Sequence, residues 1–213
     1  MNTDDRTSVP WPQWMLRYIG TNNQEAFSDL MWSVGGSPPY GGVSYDEGAA
    51  VYRLLESHTG PGVASSAAFD EVRSLVGRRQ DALAALDAFE CYDAIVTAPD
   101  SIPPALAERA LALANQVKHD GARAGLLVLA AQERLQQGDL AGSARLFQDA
   151  LALFATLATR DSAYNERLGM VAQNAISMAA NAGDVGTARS LFRQVGHLIP
   201  EPNQAALRSA LGV

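Results

Sequence analysis

Cysteine occurs once, at Cys91, and lysine once, at Lys118. A single thiol cannot close a disulfide within the chain and suits a reducing compartment. A single ammonium leaves little scope for Schiff-base chemistry. His58, His119 and His197 stand far apart, and none has a second His or a Cys three or four residues away, so the common zinc spacings are missing. There is no Gly-x-Ser-x-Gly elbow. The stretch 35–44, GGSPPYGGVS, lacks the Lys-Ser/Thr ending of a phosphate loop. No catalytic residue, metal site or cofactor is assigned from these residues.

Long apolar runs are missing too. None approaches the roughly 20 residues that a membrane span needs, and the opening MNTDDRTSVP does not read as a signal peptide. A cytoplasmic protein with no membrane role is the expectation. Basic charge is scarce: the net charge is −7, and residues 1–64 hold 7 acids against 3 bases while residues 119–213 hold 8 of each. Nucleic-acid binding wants a basic face, so no nucleic-acid role is expected, whereas an acidic surface suits a basic protein partner. Alternation of apolar and polar residues over strand length is likewise absent, which leaves an all-α chain.

What is present is helical periodicity broken by Gly and Pro. Trp11, Trp14, Met15 and Tyr18 share a face behind Pro10, in a helix expected over 10–19. Thr21 with Gln24, and Ser44 with Glu47, read as capping boxes for helices 22–34 and 45–57. Further helices are expected at 67–76, 78–97, 102–118 (capped by Ser101), 121–137, 140–158, 162–182, 185–198 and 202–211. The composition suggests an aromatic-rich N-terminal segment, 1–64, followed by a helical domain, 65–213. Asp87, Glu90 and Asp93 recur every three residues and could hold a cation, although a solvated acidic face explains them as well.

One pattern occurs twice. GDLAGSARLFQDALAL begins at Gly138 and GDVGTARSLFRQVGHL at Gly183, 45 residues later. Gly ends one helix in the left-handed region, and Asp caps the next. Ser143 or Ala188 permits close approach of the paired helix, and Phe147 or Phe192 fills the space between.

The two units resemble tetratricopeptide repeats. Ala188, Phe192 and Pro200 match the second-helix pattern of that family, as do Ser143 and Phe147. The first-helix signature departs from it, and the period exceeds the family's usual length of about 34 residues. The resemblance covers roughly 121–200 and implies antiparallel hairpins stacked as a short α-solenoid. It also implies a peptide-binding groove on the first helices, lined by Val128, Leu129, Gln132 and Gln136 and by Met170, Gln173, Asn174, Ser177 and Asn181. The expected partner-binding residues are therefore Gln132, Gln136, Gln173, Asn174, Ser177 and Asn181, whose polar ends suit hydrogen bonds to a peptide backbone.

The leading functional expectation is a non-enzymatic protein- or peptide-binding module, an adaptor or scaffold. An immunity or antitoxin protein that neutralises a basic partner is one version. The alternative is a small all-helical enzyme with a pocket between the N-terminal helices and the repeat half, using Asp87, Glu90 and Asp93 as acids and the 35–44 loop as a lid. A homodimer built on the aromatic N-terminal helices is a third reading.

Overall fold

The computed structural model describes residues 10–35, 43–59, 66–97 and 102–213. Every regular element among them is helical. The α-helices are α1 (Trp11–Thr21), α2 (Gln24–Gly35), α3 (Tyr45–Thr59), α4 (Ser66–Val76), α5 (Gln80–Val96), α6 (Pro104–Gln116), α7 (Asp120–Gln136), α8 (Leu140–Ala158), α9 (Asn165–Asn181), α10 (Val185–Val195) and α11 (Glu201–Leu211). Short 3-10 turns at Ser162–Tyr164 and Gly196–Leu198 replace the ends of two expected longer helices. No helix among the described residues is long and apolar enough to cross a membrane.

Local chemistry explains most of the boundaries. Gly138 and Gly183 take φ of 78° and 85°, a region that costs glycine little. Asp139 then accepts a hydrogen bond from the Gly142 N–H at 2.9 Å, and Asp184 from the Thr187 N–H at 3.0 Å. These are the two Asp caps expected from sequence. The first capping box does not form. Thr21 closes α1 and donates its hydroxyl to the Arg17 carbonyl, and Asn23 caps α2 by accepting from the Ala26 N–H at 2.9 Å. The second box is half formed. Ser44 accepts from the Glu47 N–H, but the Glu47 carboxylate turns inward to take the Trp11 indole N–H at 2.7 Å and the guanidinium of Arg79. A buried carboxylate does better with two charged or polar donors than with one backbone amide. Ser101 lies outside the described residues.

Each helix packs on its neighbour in sequence, and α8 packs on both α7 and α9. The long-range exception is α1, which lies against α5 and α7 as well as α2. Two glycine pairings let its backbone approach so closely. A Cβ on Gly20 would run into the backbone of Gly121, and a Cβ on Gly125 would run into the Ile19 carbonyl. Arg17 ties α1 to other elements, binding Asp161 ahead of the 3-10 turn at 2.9 Å and standing 3.6 Å from Asp29 of α2. The first helix of the aromatic-rich N-terminal segment therefore sits at the junction of α5 and α7. Trp11 and Trp14 are interior, whereas Trp32 on α2 is 71% exposed.

The two repeat phenylalanines differ. Phe147 is 1% exposed between α7 and α8, and the Ser143 hydroxyl beside it donates to the Ala131 carbonyl at 2.8 Å. Phe192 is only half-buried; it rests on Gly196 under the Arg208 guanidinium. Its expected burial fails because, among the described residues, α10 packs chiefly on α9 and the adjoining 3-10 turn, with only slight contact from the short α11.

Candidate functional site

The acidic trio of α5 is dispersed. Asp87 accepts from Arg73 at 2.9 Å, and Glu90 accepts from both Arg73 at 3.0 Å and Arg109 at 2.5 Å. Burial alone would raise the Glu90 carboxyl, but the hydrogen bonds from the two guanidiniums outweigh it and hold it below its ordinary value. Asp93 points elsewhere, into the interior. Asp87 and Glu90 thus share Arg73 while Asp93 turns inward, and the three carboxylates do not converge on one site.

Asp93 belongs to a chain of polar groups that crosses the N-terminal helices. His58 on α3 stands between the Asp93 carboxylate, 2.5 Å from Nδ1, and the Tyr18 hydroxyl of α1, 3.1 Å from Nε2. The Tyr18 ring meets that of Tyr92 at 5.6 Å, and the Tyr92 hydroxyl donates to the Asn22 side chain. Asn22, at φ 51°, is the non-glycine residue with positive φ among those described. Phe27 and Phe89 wall the imidazole at ring distances of 5.9 Å and 5.1 Å. Burial pushes both tyrosine hydroxyls up from their ordinary values. With both ring nitrogens engaged and the side chain 8% exposed, this imidazole ties α1, α3 and α5 together. Buried polar groups that satisfy one another fix a unique packing.

The expected amide face is distributed over two helices. Gln132, Gln173, Asn174 and Ser177 are half-buried, and Gln136 and Asn181 are exposed. Two of them already have partners. Gln136 accepts from the Ile102 N–H at 3.0 Å, and Gln173 accepts from the Asn203 amide at 2.7 Å. Val128 and Leu129, expected to line the groove beside them, are interior, and α1 lies over this side of α7 at Gly125.

A different concavity opens on the other side of α7. Its volume is about 700 Å³, with α7 as floor and α6 and α8 as walls. Arg123, Leu127 and Arg134 supply the floor; at about 100° per residue they share one stripe, roughly opposite Gln132 and Gln136. Leu111 projects from α6, and Arg145, Leu146, Asp149 and Leu153 from α8. Leu111, Leu146 and Leu153 are only partly buried, and Arg123 and Arg145 are exposed. Among the described residues neither Arg123 nor Arg145 has a carboxylate within ion-pair distance, and Arg134 reaches Asp139 only at 3.9 Å. A locally basic, leucine-lined groove therefore sits on an acidic chain.

This groove was not picked out from the sequence. On α8 its lining residues lie beside the core stripe of Phe147, Ala150 and Phe154, so they read as an ordinary solvated flank. The available signal was the pairing of leucine with arginine at helical spacing on two successive helices. No protein-family model matches the chain, and neither a curated protein nor a solved structure is significantly similar to it.

Proposed function

We propose that this chain is a non-enzymatic binding module that receives a protein or peptide segment in the groove over α7. The hairpins α7–α8 and α9–α10, each closed by a Gly-Asp turn, are read as tetratricopeptide-like units, the first of which forms this surface together with α6. The observation behind the proposal is the combination of half-exposed leucines with two arginines lacking carboxylate partners, in a concavity of about 700 Å³. Apolar contact supplies affinity, and a few placed charges supply register and specificity. The enzyme reading called for Asp87, Glu90 and Asp93 as acids of one pocket, whereas Asp87 and Glu90 pair with Arg73 and Asp93 is buried beside His58.

Site-specific photo-crosslinking in the native host tests the module. A photoreactive residue at Ala152, which lines the groove and is exposed, should capture one dominant partner. The same residue at Ala206 on the exposed side of α11 should not. Equal capture at the two positions, or capture only from the amide side at Asn181, would retire the groove as the recognition surface.

A further inference from the structure

The chemistry of the groove narrows the kind of segment it can take. We infer that its occupant is an acidic amphipathic α-helix, laid along α7 with leucine-type side chains between Leu111, Leu127, Leu146 and Leu153 and carboxylates at Arg123 and Arg145. This rests on the binding-module reading and adds the partner's secondary structure and charge.

Three recognition modes cover most peptide docking: strand addition to a sheet edge, polyproline docking on aromatic ladders, and a helix in a groove. The first needs an open strand edge, and the described residues contain only helices. The second needs aromatic walls, and the lining here is aliphatic and charged. The third fits the architecture. The walls α6 and α8 both run antiparallel to α7, so a fourth helix set between them would meet side-chain ridges as helices do in a bundle. Arg123 and Arg134 lie about 16 Å apart along α7, at roughly 1.5 Å per residue, which spans about three turns of a docked helix.

Charge decides the sign. The lining holds Arg123, Arg134 and Arg145 against Asp139 and Asp149, a positive balance in a chain whose net charge is −7. Arg123 stands on the floor in line with Leu127, and Arg145 on the α8 wall next to Leu146. Carboxylates on the flanks of a docked helix's apolar face would meet them, and a guanidinium takes a carboxylate bidentately. The charge of the whole chain favours a basic partner; this groove favours an acidic one.

The test uses the full chain and two synthetic peptides of about 16 residues, long enough to populate helix. Both carry the same leucine row, one with Glu and the other with Lys at the flanking positions. Fluorescence anisotropy should show the Glu peptide binding at least about tenfold more tightly, with the advantage shrinking as salt rises. The charge-reversed variant R123E/R145E should invert the preference, and R123Q/R145Q should abolish it; both positions are exposed, and circular dichroism checks that the variants fold. Equal affinity for the two peptides would overturn the charge inference while leaving the module standing. Binding of neither, amide shifts confined to the Gln132 side of α7, or concentration-dependent dimerisation lost in R123E/R145E would overturn the helix inference. Crosslinking at Ala152 reports independently on the module itself.

Discussion

Gly125 lies so close to the carbonyl oxygen of Ile19 that a side chain on Gly125 would overlap it. The backbones of α1 and α7 are in direct contact there, and again where Gly20 meets Gly121. Packing of this kind leaves no gap for even one methyl group.

Replacing Gly125 with Ala therefore sets two effects against each other. Alanine in a helix interior gains up to about 1 kcal/mol in propensity. Overpacking against a backbone carbonyl costs about 1–3 kcal/mol. The steric term wins, so chemical denaturation should show a net loss of stability. The emission of Trp11 and Trp14, buried on α1, should shift to the red if α1 lifts. A gain in stability would mean that α1 is held loosely.

Phe147 and Phe192 occupy equivalent places in the repeat but not in the core. Phe147→Ala should cost about 3–5 kcal/mol, the range for a core phenylalanine, and Phe192→Ala clearly less. Thermal melts of the two variants check the order. Equal losses would mean that α10 is covered more completely than its half-exposed phenylalanine indicates.

His119 caps α7, accepting the Ala122 N–H on Nδ1 at 3.2 Å. Burial lowers its pKa below the ordinary value, a tendency opposed by Asp120 and assisted by Arg17. The unfolded chain then takes up the proton more readily than the folded one. The contribution to stability is full above the unfolded value, near pH 6.5, and is lost as pH falls through the lower folded value. Denaturation between pH 7 and pH 5 should show this decline, and His119→Asn, which keeps an acceptor but does not titrate, should flatten it. Glu90 and Asp184, both held below the ordinary carboxylate range, lose their contributions only at more acid pH.

Cys91 is buried, and its thiol lies 3.6 Å from the Leu106 carbonyl. Burial pushes it up to about 11, with Arg109 opposing and Glu90 assisting. At pH 8 about one thiol in a thousand is then ionised, and only the thiolate attacks a disulfide reagent. A colorimetric thiol reagent should read almost no free thiol in the native protein and one per chain in denaturant.

Features that depend on near neighbours were legible before any coordinates. The turns at Gly138–Asp139 and Gly183–Asp184 need only a residue tolerant of positive φ and a capping carboxylate three positions from a free N–H. The helix spans follow from local periodicity, with errors confined to ends such as Thr21, where a side chain could cap in more than one way. The central position of α1 was hidden because Gly20, Gly121 and Gly125 acquire meaning only once distant helices meet. The shared face of Trp11 and Trp14 was legible, but not what it would pack against, for the same reason. The groove was hidden in part. Arg123 and Arg145 line one groove with these leucines only because α7 and α8 fold back on each other, and nothing in either helix alone assigns those leucines to the outside of the core.

The seam between α1 and α7 also governs how the chain can be born. More than a hundred residues separate the end of α1 from the end of α7. At about 5–20 residues per second, a ribosome takes several seconds or more to supply the partner on which α1 rests. For that interval Ile19 and Gly20 have no α7 to rest on, and the closing step joins segments far apart in sequence, the slow kind of contact. Newly made chains should therefore depend most on chaperones just before α7 emerges, and a circular permutant that places α1 after α11 would be released from that wait.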